Sequence, residues 1–463
     1  MLSTYLDSKR DKLKELINEL GKEFAYVSAL ASDVKEMRYM VNKVTSTIAE
    51  GEESERGFVV KMSNGHAYFE YSFDVIKDDI KTFAQEIIET TKLSTSMKEV
   101  NTLPVDDEPL KEDFVRENDL SKFNSEEIIN RLAKLKDDIL ASDNHVMNAV
   151  AAINYLETNK LFISKNRELS QNYVWVNGLL LAYYLDEKMV AVREGSYSHL
   201  LKEALDELPN KIEPLLDKAR HLVKAKPIEP GIYDVITHPS ISGLIAHEAF
   251  GHGVEMDQFV KDRAIAQQYV NKYVASPLVN MRDGASSILS AASYFFDDDG
   301  VLAHDTLIIK DGILQQGICD LVSSRELDFK PTGNGRRQSF KNKAYTRMTN
   351  TFFEPGKDKL EDMIASIKHG YMLFETNNGM EDPKNWAIQC VCEYGREIVD
   401  GKLTDNYVAP VVMSGYVIDL LKSISMVSDN LMVIGSGHCG KGYKEWVRVS
   451  DGGPALKARV KLS

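Results

Sequence analysis

The chain has 463 residues, 43% of them hydrophobic, with four cysteines and a net charge of −14 at pH 7. That length suggests two or three domains with sizeable cores, and the acidic balance excludes a general nucleic-acid binder, whose phosphate contacts need a basic face. No apolar run reaches the roughly 18 residues that span a bilayer, and four cysteines at this length make no disulfide framework.

The N-terminal stretch MLSTYLDSKRDKLKELINEL is charged and amphipathic and lacks the apolar centre of a signal peptide, so a cytoplasmic location is expected. A first helix should end at Leu20, with Leu13, Leu16, Ile17 and Leu20 on one face and Gly21 at the C′ position. Strands are expected at FAYVSAL and on both sides of Asn64-Gly65 in RGFVVKMSNGHAYFEYSF, a hairpin signal. Ile76, Ile80, Phe83 and Ile87 repeat with helical spacing. The acidic stretch 102–113 holds two prolines and reads as a surface loop. Asn124 and Glu127 resemble a capping box ahead of Ile128, Leu132, Leu135 and Ile139. From Asn148 to Arg193 the pattern is strand-like, and a helix should follow through Leu200, Leu201, Ala204 and Leu208. KAKPIEPGIYDV, residues 224–235, is the expected boundary between an N-terminal domain (1–225) and a C-terminal domain (231–463).

Just past that boundary stands HEAFGH, residues 247–252. A regular helix turns by about 100° per residue, so His247 and His252, five apart, would point about 140° away from each other. They can share a metal ion only if the helix widens locally. A π-turn does this by bringing residues five apart onto one face, and Gly251 would tolerate the odd backbone and leave room. The other reading keeps the helix regular and pairs Glu248 with His252, four apart, by a hydrogen bond. Two histidines are also an incomplete set, because a catalytic zinc takes three protein ligands.

Glu255, three residues after His252, either orients that imidazole or is a surface carboxylate. FDDDG (296–300) lacks calcium-loop spacing and reads as the acidic end of a strand. Asp311-Gly312 and Asp400-Gly401, flanked by β-prone residues, read as hairpins. The arginines of GNGRR (333–337) either line a substrate path or belong to a structural turn in solvent. Cys390 and Cys392 would share one face of a strand as small packed residues rather than ligands. IGSGHCGKG (434–442) presents Cys439 in what reads as a glycine-rich loop, a source for a third, thiolate ligand. Gly435, Gly437 and Gly440 also mimic a dinucleotide fingerprint, and Gly435, Gly440 and Lys441 mimic a phosphate loop. Both mimics lack the helix that must follow, and Gly442 stands where a phosphate loop needs a hydroxyl. His438 should point away from its neighbour Cys439.

HEAFGHGVEMD, PTGNGRRQSF, RMTNTFFEPG and GSGHCGKG, in this order, resemble the TldD/PmbA family of metallopeptidases, also called modulators of DNA gyrase. The likeness covers nearly all of 231–463 and is looser before 225, where it rests on RGFVVKMSNGHAYFEYS. It implies an α+β fold, with a mixed helix and antiparallel-strand domain followed by a β-rich, barrel-like domain that carries the metal-binding helix. It implies His247, His252 and Cys439 as ligands to one Zn²⁺ per chain. It further implies a TldD-type catalytic subunit in which Glu248 is the general acid/base, activating a zinc-bound water to hydrolyse flexible, unstructured peptides. A homodimer, or a heterodimer with a metal-free paralogue, is expected, and neither nucleic acid nor membrane is an expected partner. The alternative function is a non-catalytic peptide-binding or scaffold subunit with a structural metal. The chain departs from some relatives at EDPKNWAIQC, where they are richer in glycine.

Overall fold

A computed structural model describes residues 1–92, 108–441 and 444–463. Its N-terminal half is built on an eight-stranded sheet ordered Tyr68–Phe73, Glu55–Ser63, Tyr26–Val41, Val146–Ser164, Arg167–Leu185 and Leu110–Val115. Ser46–Glu50 pairs with Tyr26–Val41, and Met189–Ser198 with Arg167–Leu185. The Asn64-Gly65 hairpin forms as expected. Helices cover the apolar positions of this sheet. Leu13, Leu16, Ile17 and Leu20 of Arg10–Leu20 pack with Ile80, Phe83 and Ile87 of Ile80–Lys92. Ile128, Leu132, Leu135 and Ile139 of Ser125–Ser142 join Leu201, Ala204 and Leu208 in a second cluster. Asn124 caps the first of these helices by accepting from the Glu127 N–H.

Two expectations change here. Gly21 ends its helix with an ordinary right-handed φ of −66° rather than in a left-handed cap. Of the loop expected at 102–113, residues 102–107 lie outside the described residues, and Leu110–Val115 is a strand, parallel to Arg167–Leu185. Its charged residues face outward on a sheet edge, which a composition-based reading takes for a loop.

The C-terminal half closes a barrel. Gly231–Thr237, Leu456–Leu462, Val411–Tyr416, Ala387–Val399 and His369–Asp382 pair in that order, and the last pairs back to the first. A six-stranded sheet stands beside it, ordered Ile313–Leu314, Thr306–Lys310, Met281–Asp283, Asn350–Phe353, Lys444–Gly453 and Met432–Lys441. One apolar core joins barrel and sheet, and Cys390 and Cys392, both fully buried, lie in it. The Asp311-Gly312 and Asp400-Gly401 hairpins form, with both residues of each turn at positive φ (49° and 78°, 47° and 74°). The fold is thus α+β with a barrel-containing C-terminal part. Among the described residues no helix is long and apolar enough to cross a membrane.

The two halves meet through buried charge. Asp298 and Asp299 pair with Lys160 and Lys61 of the N-terminal sheet, and Asp297 accepts the N–H groups of Asp299, Val301 and Gly335. FDDDG is therefore a buried, bonded turn and not the acidic end of a strand. The two lysines stand more than a hundred residues away, so nothing in FDDDG itself signals them.

Candidate metal centre

Barrel strand Gly231–Thr237 runs directly into helix Pro239–Leu244, started by proline at its first position and by His238, whose ring accepts from the Ser240 N–H. The helix lies hard against the neighbouring sheet. A Cβ on Gly243 would come within 2.5 Å of the Gly452 nitrogen, so only glycine permits this approach. The chain then widens into a π-turn over Ile245–Gly251, in which the His252 N–H donates to the His247 C=O five residues back. That single wide turn brings the two imidazoles together, with ring centroids 5.2 Å apart and planes at 85°. Gly251 keeps an ordinary φ of −58°. Its role is space, because a Cβ there would lie 2.1 Å from the Met348 sulfur.

Cys439 arrives on strand Met432–Lys441, which hairpins with Lys444–Gly453. The loop expected at 434–442 is thus a strand over its described part, and Gly442 lies outside the described residues. Among the described residues no helix follows, as either nucleotide motif would need. Cys439 Sγ stands 3.3 Å from His252 Nε2. The ligand atoms of His247, His252 and Cys439 all lie within 4.8 Å of one another. All three side chains are largely buried.

Burial pushes the Cys439 thiol up, but His252 and His247 outweigh it and hold it well below the usual thiol range. Burial likewise disfavours charge on His252, yet Cys439 and then Glu255 raise it well above the ordinary imidazole value. His247 is also raised, against burial, by Cys439. His247 Nδ1 is buried without a hydrogen-bond partner among the described residues. Two imidazoles and a thiolate whose ligand atoms converge within 4.8 Å, one of the imidazoles with an unbonded buried nitrogen, fit a zinc ion. They suit calcium or magnesium poorly, since those ions take oxygen ligands.

Glu248 is half-buried, and its side chain lies so close to Gly379 that a Cβ there would be 2.5 Å from Glu248 Cγ. Glu255, almost fully buried, lies 3.4 Å from His252 Nδ1. Burial pushes its carboxyl up, but Lys441, His252 and Arg347 hold it at about 2. Lys441 Nζ reaches Glu255 at 3.1 Å and Asp257 at 2.7 Å, and donates to Thr346 C=O at 3.0 Å. Arg347, 1% exposed, donates to the Cys439 C=O. Two more acids stand close by. Burial pushes Glu381 up to about 9, with His252 opposing and Glu248 adding. Burial raises Asp451 to about 6.

His438 does point away, 3.1 Å from Glu53. Arg336 donates to the carbonyls of Met348 and Arg448, and Arg337 forks onto Glu70. Internal acceptors hold both arginines, Arg337 buried and Arg336 half-buried, and both line one cleft. Sequence reasoning gave no role to Arg347, Asp257, Glu381 or Asp451, and it met Lys441 only as part of a phosphate-loop mimic.

Comparison with known proteins follows the same line. The model of the PmbA/TldA metallopeptidase C-terminal domain matches residues 230–460. A protein named metalloprotease from Methanothermobacter thermautotrophicus is 31% identical over 269 residues, 57% of this chain and 57% of that protein, so the match spans little more than half of it. The zinc metalloprotease TldD homolog of Saccharolobus solfataricus is 27% identical over 461 residues, 95% of this chain and 96% of that protein. The crystal structure of TldE from Thermococcus kodakarensis superposes with a TM-score of 0.78 over 98% of this chain and 100% of that one, at 17% identity, a likeness of fold.

Proposed function

The chain belongs to the PmbA/TldD family, and on that premise we propose that it is a zinc-dependent peptidase of the TldD type. His247, His252 and Cys439 hold one zinc ion, and Glu248 is the general acid/base. The observation that carries this reading is the π-turn, which sets two imidazoles beside the Cys439 sulfur and leaves Glu248 next to them. Three protein donors are the count of catalytic zinc sites, whereas structural sites use four.

Bound zinc would supply Lewis acidity toward a scissile carbonyl and bring the pKa of water at the site to roughly 7. The chain's own residues do the rest. Glu248, braced against Gly379, takes a proton from the attacking water and passes it to the leaving amine. Glu255 holds the His252 ring through Nδ1, and Lys441 and Arg347 keep Glu255 charged. A thiolate donor moderates the metal's Lewis acidity relative to a third imidazole and binds it tightly.

Burial of His247 and Cys439 supports a flexible peptide rather than a folded protein as substrate. The working form is a homodimer or a heterodimer with a metal-free paralogue, consistent with the TldE-like fold. Residues 1–225 form an N-terminal domain and 231–463 the metallopeptidase domain. In the test, Glu248→Gln retains zinc at one ion per chain and loses about 10²–10⁴-fold in cleavage of an unstructured peptide. Equal cleavage by both proteins would remove Glu248 as the acid/base, and no cleavage by either with zinc bound favours a scaffold subunit with a structural metal instead.

A further inference from the structure

The two imidazoles share one wide turn, but the sulfur stands on an edge. Cys439 lies on Met432–Lys441, the last strand of its sheet, which among the described residues pairs with Lys444–Gly453 alone. That pairing is interrupted on both sides of the cysteine's segment. The register shifts between Ile434 and Gly437 and again between Cys439 and Lys441. Between the shifts stand Gly437 opposite Val449, His438 opposite Arg448 and Cys439 opposite Val447. So short a ladder holds its register weakly, and a slip of one residue would turn the Cys439 side chain to the opposite face.

The N-terminal half grips the middle pair of that ladder. Glu53 lies in the turn between strands Ser46–Glu50 and Glu55–Ser63. Arg448 Nε donates to Glu53 Oε1 and Oε2 at 2.9 and 3.0 Å, and Arg448 Nη2 stands 2.7 Å from Oε1. His438 Nε2 stands 3.1 Å from the same Oε1. One carboxylate thus ties the two strands to each other at the pair next to Cys439. Side chains alternate along a strand, so His438 and Arg448 face Glu53 while Cys439 and Val447 face the C-terminal core. The grip is itself braced. The Glu53 N–H donates to Glu36 Oε2 at 3.0 Å, and Arg38 forks onto the fully buried Glu36 at 2.8 and 3.1 Å. Arg448 is 6% exposed. Charge-assisted bonds of this kind are roughly twice as strong as neutral ones and set geometry as well as energy.

We propose that Glu53 is a positioning residue for the metal centre: by bridging His438 and Arg448 it locks the register of the hairpin and so fixes the Cys439 sulfur against His247 and His252. The clamp rests on the metal-centre reading and deepens it. It makes the N-terminal half part of the metal site although that half supplies no ligand.

The test compares wild type with Glu53→Gln and Glu70→Gln. Glu70 also joins the halves, through Arg337, and among the described residues it bonds nothing in the hairpin, so its variant reports general loosening. Zinc affinity, read by competition with a chelator, should fall about tenfold in Glu53→Gln, the lower end of the effect of a metal ligand's outer partners. It should stay at the wild-type value in Glu70→Gln. In the cobalt-substituted proteins the thiolate-to-cobalt charge-transfer band should weaken in Glu53→Gln and not in Glu70→Gln. Arg448→Met should match Glu53→Gln, and the two together should lose no more than either alone, because they remove one shared contact. The clamp is overturned if Glu53→Gln keeps the wild-type affinity or the wild-type band, if Glu70→Gln loses as much, or if the Glu53→Gln and Arg448→Met losses add in full. Any of these leaves the metal reading standing. A wild-type protein that takes up cobalt without a charge-transfer band removes the metal reading, and the clamp with it.

Discussion

Glu255 joins the centre to its surroundings. It faces His252 on one side and Lys441 and Arg347 on the other, and it keeps its charge although it is almost fully buried. Such outer partners fix the orientation and basicity of a ligand imidazole. Glu255→Gln and Lys441→Met should each weaken zinc binding by about 10–100-fold in competition with a chelator. Unchanged affinity in both would mean that the cluster only packs. The residues brought together at the centre were legible in the sequence because His247, His252 and Cys439 sit in short, distinctive stretches that resemble a known family. Lys441 shares one of those stretches, yet its acceptors, Asp257 and Glu255, lie more than 180 residues away. Glycines around a lysine then suggest phosphate binding more readily than a buried ion pair.

At the scale of elements, the π-turn follows from local arithmetic. Two residues that must meet and stand five apart require a wider turn, but their spacing alone also allowed a regular helix that pairs Glu248 with His252. What holds the turn in place is not local. Met348, from a distant stretch, occupies the space beside Gly251. Gly251→Ala should therefore cost about 1–3 kcal/mol in denaturant unfolding through overpacking, and Gly251→Ala with Met348→Ala should recover part of that loss. If Gly251→Ala is neutral, the helix is not packed this way. The 434–442 stretch misled for a related reason. Its glycines suit a mobile loop, yet Gly435 makes room for Trp175, whose ring would lie 2.4 Å from an added Cβ, and Gly440 packs against Trp446. Glycine in a strand marks close approach as often as flexibility, and the tryptophan involved is set by tertiary contact.

Across the whole molecule, charge buried between the halves sets the response to acid. Burial would raise the Glu70 carboxyl, but Lys61 and Arg337 hold it at about 2, below its ordinary 4.5. A depressed acid contributes stability above its unfolded pKa, and that stability is lost as pH falls through the folded value. The loss here should run from about pH 5 to 2 and amount to about 3 kcal/mol. Unfolding free energy followed over that range should fall more steeply for wild type than for Glu70→Gln; parallel curves would show that the pairing adds nothing. Helices and hairpins, being local, were readable from periodicity and turn residues. The closing pair of the barrel and the Lys61–Asp299 and Lys160–Asp298 contacts join residues far apart in sequence and were not. The central claim is that one metal ion is held by two imidazoles and one sulfur. X-ray absorption at the zinc edge of the zinc-loaded protein tests it most directly. The account predicts one ion per chain with a nitrogen or oxygen shell at about 2.0–2.1 Å and one sulfur at about 2.3 Å, the sulfur lost in Cys439→Ser. A zinc shell without sulfur in the wild-type protein would contradict it.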